Sequence, residues 1–122
     1  MRNRSRVLLF TLLFAFVWAV PAASGPGFRS RSYLEEHFQK HGAEFGQISV
    51  EQYLTLAQGL RDAPLGGDIL RSDRSGGGYA KYDRISNSFG AYDQDGTIRS
   101  FFKPNDGERY FVRQARIRKG ND

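Results

Sequence analysis

The spacing of apolar residues changes about halfway along the chain, and this change limits the fold class more than any other feature of the sequence. Val50, Tyr53, Leu54, Ala57 and Leu60 recur at intervals of three and four residues, which predicts an amphipathic helix. Later segments are short, rich in aromatic and β-branched residues, and separated by turns of Gly, Asn and Asp, as antiparallel strands are. The sequence therefore predicts an α+β domain with its helices before its sheet.

The ends of the predicted helices carry recognisable signals. A first helix begins with a capping box at Ser32 and ends near Gly42, and a second begins with a capping box at Ser49 and ends at Pro64. Each serine has Glu or Gln three residues later, as the capping box requires. We expect these two N-terminal helices to pack on one four-stranded sheet.

Turn residues define four strands in the second half of the chain. Asn, Asp and Gly clusters follow them, and the segment after the last turn, at Tyr110 and Phe111, is predicted to be a short helix or coil. The predicted strands are 68–71, 79–83, 89–92 and 97–103. They should form an antiparallel meander.

The start of the chain has the pattern of a cleavable secretory signal. Three arginines lie within the first six residues, and an apolar run over residues 7–20 follows them. A run of about 14 residues is shorter than the roughly 20 that a membrane-spanning helix needs, which disfavours the alternative of an uncleaved anchor. Small residues place the cut between Ala22 and Gly25. We expect a secreted or periplasmic protein without a membrane anchor after processing: signal 1–24, flexible leader 25–31, domain 32–115 and frayed tail 116–122.

Composition limits the partners of the processed chain. The full sequence has 18 Lys and Arg against 13 Asp and Glu, and removal of the signal leaves 15 against 13. Such a small excess does not predict a protein that coats nucleic acid, although a local basic patch remains compatible with it. The absence of cysteine excludes disulfides and cysteine-ligated metals. About 100 residues suffice for one modest core, and we expect a monomer.

The chain has two histidines, His37 and His41, four residues apart on the first predicted helix, with Lys40 beside the second. An imidazole transfers protons near neutral pH, and a neighbouring cation neutralises a phosphate. This pair suits cleavage of RNA by its own 2′-hydroxyl, a reaction that needs no metal or other cofactor. The alternatives are two surface histidines, or a zinc site that would lack a third ligand.

The predicted strands supply further polar groups. Long cations beside an aromatic residue are typical of surfaces that bind single-stranded RNA, and a solvated strand face is the alternative. The last strand alternates between two sets of residues, and both sets contain an aromatic, so alternation alone does not decide which face is buried. The residues concerned are Lys81 and Asp83, then Thr97, Arg99 and Phe101 alternating with Ile98, Ser100 and Phe102, and finally Lys103.

Two segments resemble the nuclease domain of colicin D. The first, over residues 40–46, matches its Lys-His-small-x-acid-Phe-Gly segment, and also resembles the toxin tips of bacterial contact-dependent-inhibition proteins. The second has a similar order of strand, turn and Ser-x-aromatic-Lys. It comprises Tyr82-Asp83, 86–89, 95–104, Gly107 and Tyr110. The resemblance covers about residues 33–110 and implies the barnase-like ribonuclease group.

The resemblance implies a function and a set of site residues. A secreted, metal-independent endoribonuclease toxin would act on RNA, with tRNA as the family's substrate, and a cognate immunity protein would protect its producer. His41 corresponds to the catalytic histidine and Lys40 to a cation beside it, while Thr97 or Ser100 would position the phosphate or the hydroxyl. The family's lysine cluster before the histidine is absent here, so the phosphate charge must come from elsewhere. The substrate-binding candidates are Lys81, Arg84, Arg99, Phe102, Lys103 and His37. A non-enzymatic secreted binding module on the same fold is the alternative.

Overall fold

A computed structural model describes residues 25–119, and side chains through Ile117. The elements are α1 (Arg31–His41), a 3₁₀ helix (Gly42–Phe45), α2 (Val50–Asp62), β1 (Ile69–Asp73), β2 (Tyr79–Asp83), β3 (Ser88–Tyr92), β4 (Ile98–Phe102) and α3 (Glu108–Lys119). The strands form one antiparallel sheet in the order β1-β2-β3-β4. The predicted α+β class is confirmed. The predicted signal at 1–24 and the last three residues lie outside the described part.

The structure contains more helices than the two N-terminal ones that were expected to pack on the sheet. A 3₁₀ helix follows α1, and a third α-helix, α3, packs on the opposite face of the sheet through Phe111, which is 7% exposed. This helix continues through Lys119, so the predicted domain boundary at residue 115 falls inside it. Apolar residues are sparse among its arginines, which makes its periodicity weak in the sequence.

One of the two predicted capping boxes is present. At α2, the Ser49 hydroxyl accepts from the Gln52 N–H at 3.1 Å, and the Gln52 side chain accepts from the Ser49 N–H at 2.8 Å. At α1, however, the cap is Ser30, whose hydroxyl accepts from Tyr33 N at 3.2 Å. The predicted cap at Ser32 is wrong because the helix begins one residue before it, and Ser32 lies within the first turn.

Residues 25–31 make defined contacts, in contrast to the predicted flexible leader. Phe28 stacks on Tyr53 with ring centroids 6.1 Å apart and forms a parallel bridge with Ile98. The Gly27 carbonyl accepts from Ile98 N at 2.9 Å. The Pro26 carbonyl accepts from the Arg61 guanidinium. The Gly- and Pro-rich composition of this segment predicted flexibility, although Phe28 within it packs against the domain.

The sheet has an apolar cluster on each face. On one face, α1 and α2 cover β3 and β4, and the Tyr92 hydroxyl donates to the Ala57 carbonyl at 2.8 Å. On the other, α3 covers β2 and β3. The first cluster consists of Leu34, Tyr53, Ala57, Leu60, Tyr92, Ile98 and Phe101, and the second of Ala80, Tyr82, Phe89, Ala91 and Phe111, with Phe102 and Tyr110 packed against it.

A bulge in β4 decides which of its residues share a face. Tyr92 pairs with Ile98 and Ala91 with Ser100, which leaves Arg99 as the extra residue. Ile98 and Phe101 therefore both face α2, while Ser100 and Phe102 face the α3 side. Simple alternation, which groups Arg99 with Phe101, fails at this bulge.

Candidate active site

His41 lies at the C-terminal end of α1, beside the end of β4. Its side chain is 28% exposed, and its ring packs against Phe102 with centroids 5.3 Å apart. It opens onto a cavity of about 420 Å³ that lies between α1, the end of β4 and the start of α3. The lining residues are His41, Glu44, Phe102, Lys103, Pro104, Asn105, Asp106, Tyr110 and Arg113. We call this space the His41 cavity.

Glu44 fixes the orientation of the His41 ring. The 3₁₀ helix brings its carboxylate back to the histidine, so that His41 Nδ1 donates to Glu44 Oε2 at 2.7 Å. The other carboxylate oxygen accepts from the backbone N–H of Lys103 at 2.8 Å. Within the described part of the chain, no hydrogen-bond partner is found for Nε2 of His41. A neutral ring with its proton on Nδ1 therefore presents the Nε2 lone pair, as a general base requires.

Gly42 allows the sharp turn between His41 and Glu44. A side chain at this position would place its Cβ 2.5 Å from the Phe38 ring. In the sequence, Glu44 is the acidic residue of the segment that resembles colicin D, and no role was predicted for it. The three-residue spacing from His41 was its available signal, but the 3₁₀ geometry that uses this spacing had not been predicted.

The start of α3 contributes the opposite wall of the His41 cavity. Tyr110 meets the Phe102 ring edge-on, with centroids 5.3 Å apart. Arg113 pairs with Asp106 at 2.7 Å, and both side chains are about half exposed. These residues were missing from the sequence-based set because α3 was expected to be short. Arg113 is the cation that the site gains from this helix.

Lys81 does not belong to the site. It is 3% exposed, faces α2, and donates to the Arg61 carbonyl at 2.9 Å and to the Ala63 carbonyl. Burial lowers the pKa of this ammonium group, and the charge of Arg71 lowers it further. The predicted phosphate ligand is instead a buried donor that satisfies carbonyl groups at the C-terminal end of α2.

Two other predicted cations are paired outside the cavity. Arg84 binds Glu108 at 2.8 Å, which raises the pKa of the guanidinium and lowers the pKa of the carboxyl. Lys40 lies 3.5 Å from Glu36, is 66% exposed, and is not among the residues that line the His41 cavity. Neither cation lines the His41 cavity in this arrangement of side chains, and their roles as phosphate contacts stay predictions.

Lys103 and Phe102 do reach the His41 cavity. The Lys103 backbone holds Glu44, while its ammonium group donates to the Ser86 carbonyl and lies 5.0 Å from the Phe45 ring centroid. The side chain of Lys103 therefore also lines a neighbouring apolar cavity of about 640 Å³ beside α2. Phe102 supplies the surface on which the histidine ring rests.

Arg99 and Thr97 lie at the other end of β4. They line a separate cavity of about 300 Å³ together with Arg29, Tyr33 and Asp93. Ser100 lies between the two cavities, opposite Ala91, and lines neither. The predicted grouping of Thr97 and Ser100 with His41 is therefore wrong for the His41 cavity itself.

His37 faces different neighbours from His41. Its Nδ1 donates to the Tyr33 carbonyl at 2.9 Å, and its ring lies 5.0 Å from Phe28. Burial lowers its pKa, and the charge of His41 lowers it further. Within the described residues, no group of three or more His, Cys, Asp or Glu side chains is arranged to hold a metal ion.

No family model matches the chain, and no curated protein sequence matches it significantly. Among the described residues, no helix has the length and apolar character that crossing a membrane requires.

Proposed function

We propose that this chain is a secreted, metal-independent endoribonuclease of the toxin type. The observation that carries the proposal is the hydrogen bond from His41 Nδ1 to Glu44, which leaves Nε2 without a hydrogen-bond partner among the described residues, on a histidine that lines the same cavity as Arg113. An oriented imidazole beside a cation is the minimum that 2′-hydroxyl attack on a phosphodiester needs.

The proposed reaction is a transesterification within the RNA. Nε2 of His41 takes the proton of the 2′-hydroxyl, the 2′ oxygen forms a bond to phosphorus, and the bond from phosphorus to the 5′ oxygen breaks. The leaving oxygen takes a proton from the Tyr110 hydroxyl or from water. The products are a 2′,3′-cyclic phosphate and a 5′-hydroxyl.

Arg113 would stabilise the charge that develops on the phosphorane. Its pair with Asp106 is exposed on both sides, at 52% and 54%, and exposed ion pairs contribute only about 0–1 kcal/mol. A phosphate therefore competes readily for this guanidinium, which can bind two of its oxygens at once. The phenyl ring of Phe102 would offer a stacking surface for a base.

The motifs shared with colicin D support the substrate class. They include His41 itself and the aromatic Phe102 followed by Lys103, which line the same cavity. Two finer predictions follow only from this resemblance, namely tRNA as the substrate and an immunity protein as the partner. Export through a signal peptide stays a prediction from the arginines and the apolar run at the start of the chain.

A second function has its own supporting observation. Of the four cations predicted to surround the phosphate, Lys40, Arg84 and Arg99 lie outside the His41 cavity and Lys81 is buried against α2. A non-enzymatic secreted binding module would need no such convergence. The two functions differ in whether His41 performs chemistry.

The first prediction tests this difference with the two histidines of α1. Residues 25–122 are purified and incubated with total tRNA and a labelled oligoribonucleotide in excess chelator, and the fragment ends are mapped. His41→Ala should reduce kcat/KM about a hundredfold or more, because general acid–base catalysis contributes roughly that much. The ends should be 2′,3′-cyclic phosphates.

His37→Ala is the matched control, because it removes the same group one helical turn away and outside the His41 cavity. It should retain most of the activity. Circular dichroism must show both variants folded. Equal activity of His41→Ala and the unaltered chain would overturn the proposal, and absence of cleavage in all three proteins would favour the binding module.

A further inference from the structure

The α3-side face of the sheet carries a second group of cations, away from the His41 cavity. Arg74 follows β1, and its N–H donates to the Gly78 carbonyl at 2.8 Å across the β1–β2 hairpin. Residues two apart share a face of a strand, so Arg74 lies on the same side as Leu70, which packs in the α3-side cluster.

The Arg74 guanidinium is partly dehydrated without compensation. Its Nε atom is buried and has no hydrogen-bond partner in the described part of the chain, while the residue as a whole remains half-buried. A buried donor without an acceptor is rare in proteins. Burial lowers the pKa of Arg74, and the charge of Arg99 lowers it further.

Arg99 and Arg29 place two further guanidinium groups near the start of β4, Arg29 on the side of α1. Arg99 lies 3.5 Å from Asp93, and its side chain is 62% exposed. Arg29 lies over the Tyr33 ring at 4.0 Å. Arg29 and Arg99 line the same cavity of about 300 Å³, and Asp93 is the one carboxylate among its lining residues. An anion at this end of the sheet would therefore meet an excess of positive charge.

The distance along β4 from this cluster to the His41 cavity is short. Arg99 precedes Phe102 by three residues, a separation of about 10 Å along a strand. Arg74 lies beside Asp93, the partner of Arg99, because its Cδ and the Asp93 Cα would each be 3.8 Å from a Cβ placed on Gly78. A single RNA strand of a few nucleotides could contact both places at once.

We propose that Arg74 and Arg99 form a second phosphate-binding subsite, which holds a phosphodiester a few nucleotides away from the one next to His41. The subsite rests on the proposed function, because it assigns a neighbouring part of the same RNA substrate.

The binding test uses an all-deoxy oligonucleotide of eight residues, which lacks the 2′-hydroxyl and so binds without being cleaved. Fluorescence anisotropy is measured over a range of salt concentrations for the unaltered chain, Arg74→Gln, Arg99→Gln and Arg71→Gln. Each of the first two changes should weaken binding several-fold and make the slope of log affinity against log salt shallower by about 0.7, as expected for one lost phosphate contact.

Arg71→Gln is the matched control, because it removes the same charge from the opposite face of β1, where Arg71 packs over Tyr79 at 4.1 Å. Its affinity and salt slope should equal those of the unaltered chain. Arg99 is exposed, so its variant keeps the test valid if Arg74→Gln is unstable.

The cleavage arm compares a dinucleotide with an octaribonucleotide. The ratio of kcat/KM for the longer to the shorter substrate should fall in Arg74→Gln and Arg99→Gln and stay constant in Arg71→Gln. The subsite is overturned if both subsite variants bind the oligonucleotide as tightly as the unaltered chain, or if the unaltered chain does not bind it at all. Equal binding by the variants is also the result expected if the arginines bind an acidic protein partner instead of RNA. Failure of the proposed function gives a different result, because His41→Ala would then not alter cleavage. The anisotropy measurements would still show whether Arg74 and Arg99 bind the oligonucleotide.

Discussion

His37 and His41 are one helical turn apart and have different surroundings. His41 is held by a carboxylate beside an open cavity, whereas His37 is covered by Phe28 and donates to a backbone carbonyl. The pKa of His37 lies below its usual 6.5 because of burial first and the charge of His41 second; Lys40 acts in the same direction, while Glu36 and the Arg99 backbone oppose it. This shift favours the uncharged form of His37.

This environment predicts how His37 titrates. The two histidine signals are followed by NMR against pH, and the spectrum of His41→Ala assigns them. His37 should titrate below 6.5, and its pKa should rise in His41→Ala without reaching 6.5, because burial remains. Titration of His37 at or above 6.5, or no change in the variant, would contradict this.

The same shift has a consequence for stability. Between the lowered folded pKa and 6.5, the unfolded chain binds more protons at His37 than the folded chain does. The contribution of His37 to folding is therefore complete above 6.5 and decreases as the pH falls towards the folded pKa. The free energy of unfolding should therefore decrease less in His37→Gln than in the unaltered chain as the pH falls below 6.5.

Residue types were more predictable than residue positions. His41 was predicted from its place in the segment that resembles colicin D, because the residues alone did not distinguish it from His37. In the structure it lines a cavity, whereas His37 does not line that cavity. The sequence could not exclude Lys81 from the phosphate-binding residues. A lysine in a strand shows the same sequence pattern whether its side chain is solvated or donates to helix carbonyls. Only the packing of α2 against β2 decides between these cases.

At the scale of elements, α3 adds most to what the sequence indicated. The strands β2 and β3 and the capping box of α2 were predictable, because alternation and turn residues are local signals. The face that α3 covers depends on contacts between distant segments of the chain. The bulge at Arg99 also shifts the alternation of side chains along β4, so this pattern does not show which residues of β4 face α3.

The packing of α3 can be tested by a single substitution. Phe111 is 7% exposed in the α3-side cluster, with its ring 6.0 Å from Tyr82. Phe111→Ala should lower the free energy of unfolding by about 3–5 kcal/mol, a large share of the roughly 5–15 kcal/mol typical of a domain. Urea denaturation of residues 25–122 measures it.

Val112→Ala is the control, because Val112 is the next residue of α3 and is 36% exposed. It should change stability by about 0.5 kcal/mol or less, as surface substitutions usually do. A similar small loss for Phe111→Ala would mean that α3 is not docked on the sheet in solution.

At the scale of the molecule, a sheet with a cluster on each face explains how about 95 described residues fold without a disulfide. The His41 cavity lies where the two layers meet, since α1 and β4 supply one wall and α3 the other. The sequence predicted part of the helix layer on each side of the sheet. It did not predict the His41 cavity, because the position of this cavity depends on how α1 and α3 lie relative to β4.

The N-terminal segment joins this arrangement at the other end, which predicts where the folded domain begins. Phe28 packs on Tyr53, the Gly27 carbonyl pairs with Ile98, and the Pro26 carbonyl accepts from Arg61. A chain that begins at Gly25 keeps all three contacts, whereas one that begins at Ser30 keeps the α1 cap but loses them.

Thermal and urea denaturation of residues 25–122 and 30–122 therefore test the predicted processing site together with the packing. The shorter chain should be less stable by about 0.5–3 kcal/mol, because it loses a partly buried aromatic side chain, and Phe28→Ala in the longer chain should reproduce most of that loss. Equal midpoints for the two chains would mean that residues 25–29 contribute nothing to the fold. A secretory cut that leaves the domain intact must therefore fall before Pro26, in agreement with the small residues at Ala22–Gly25, and mass spectrometry of exported protein should give a first residue between Ala23 and Gly25.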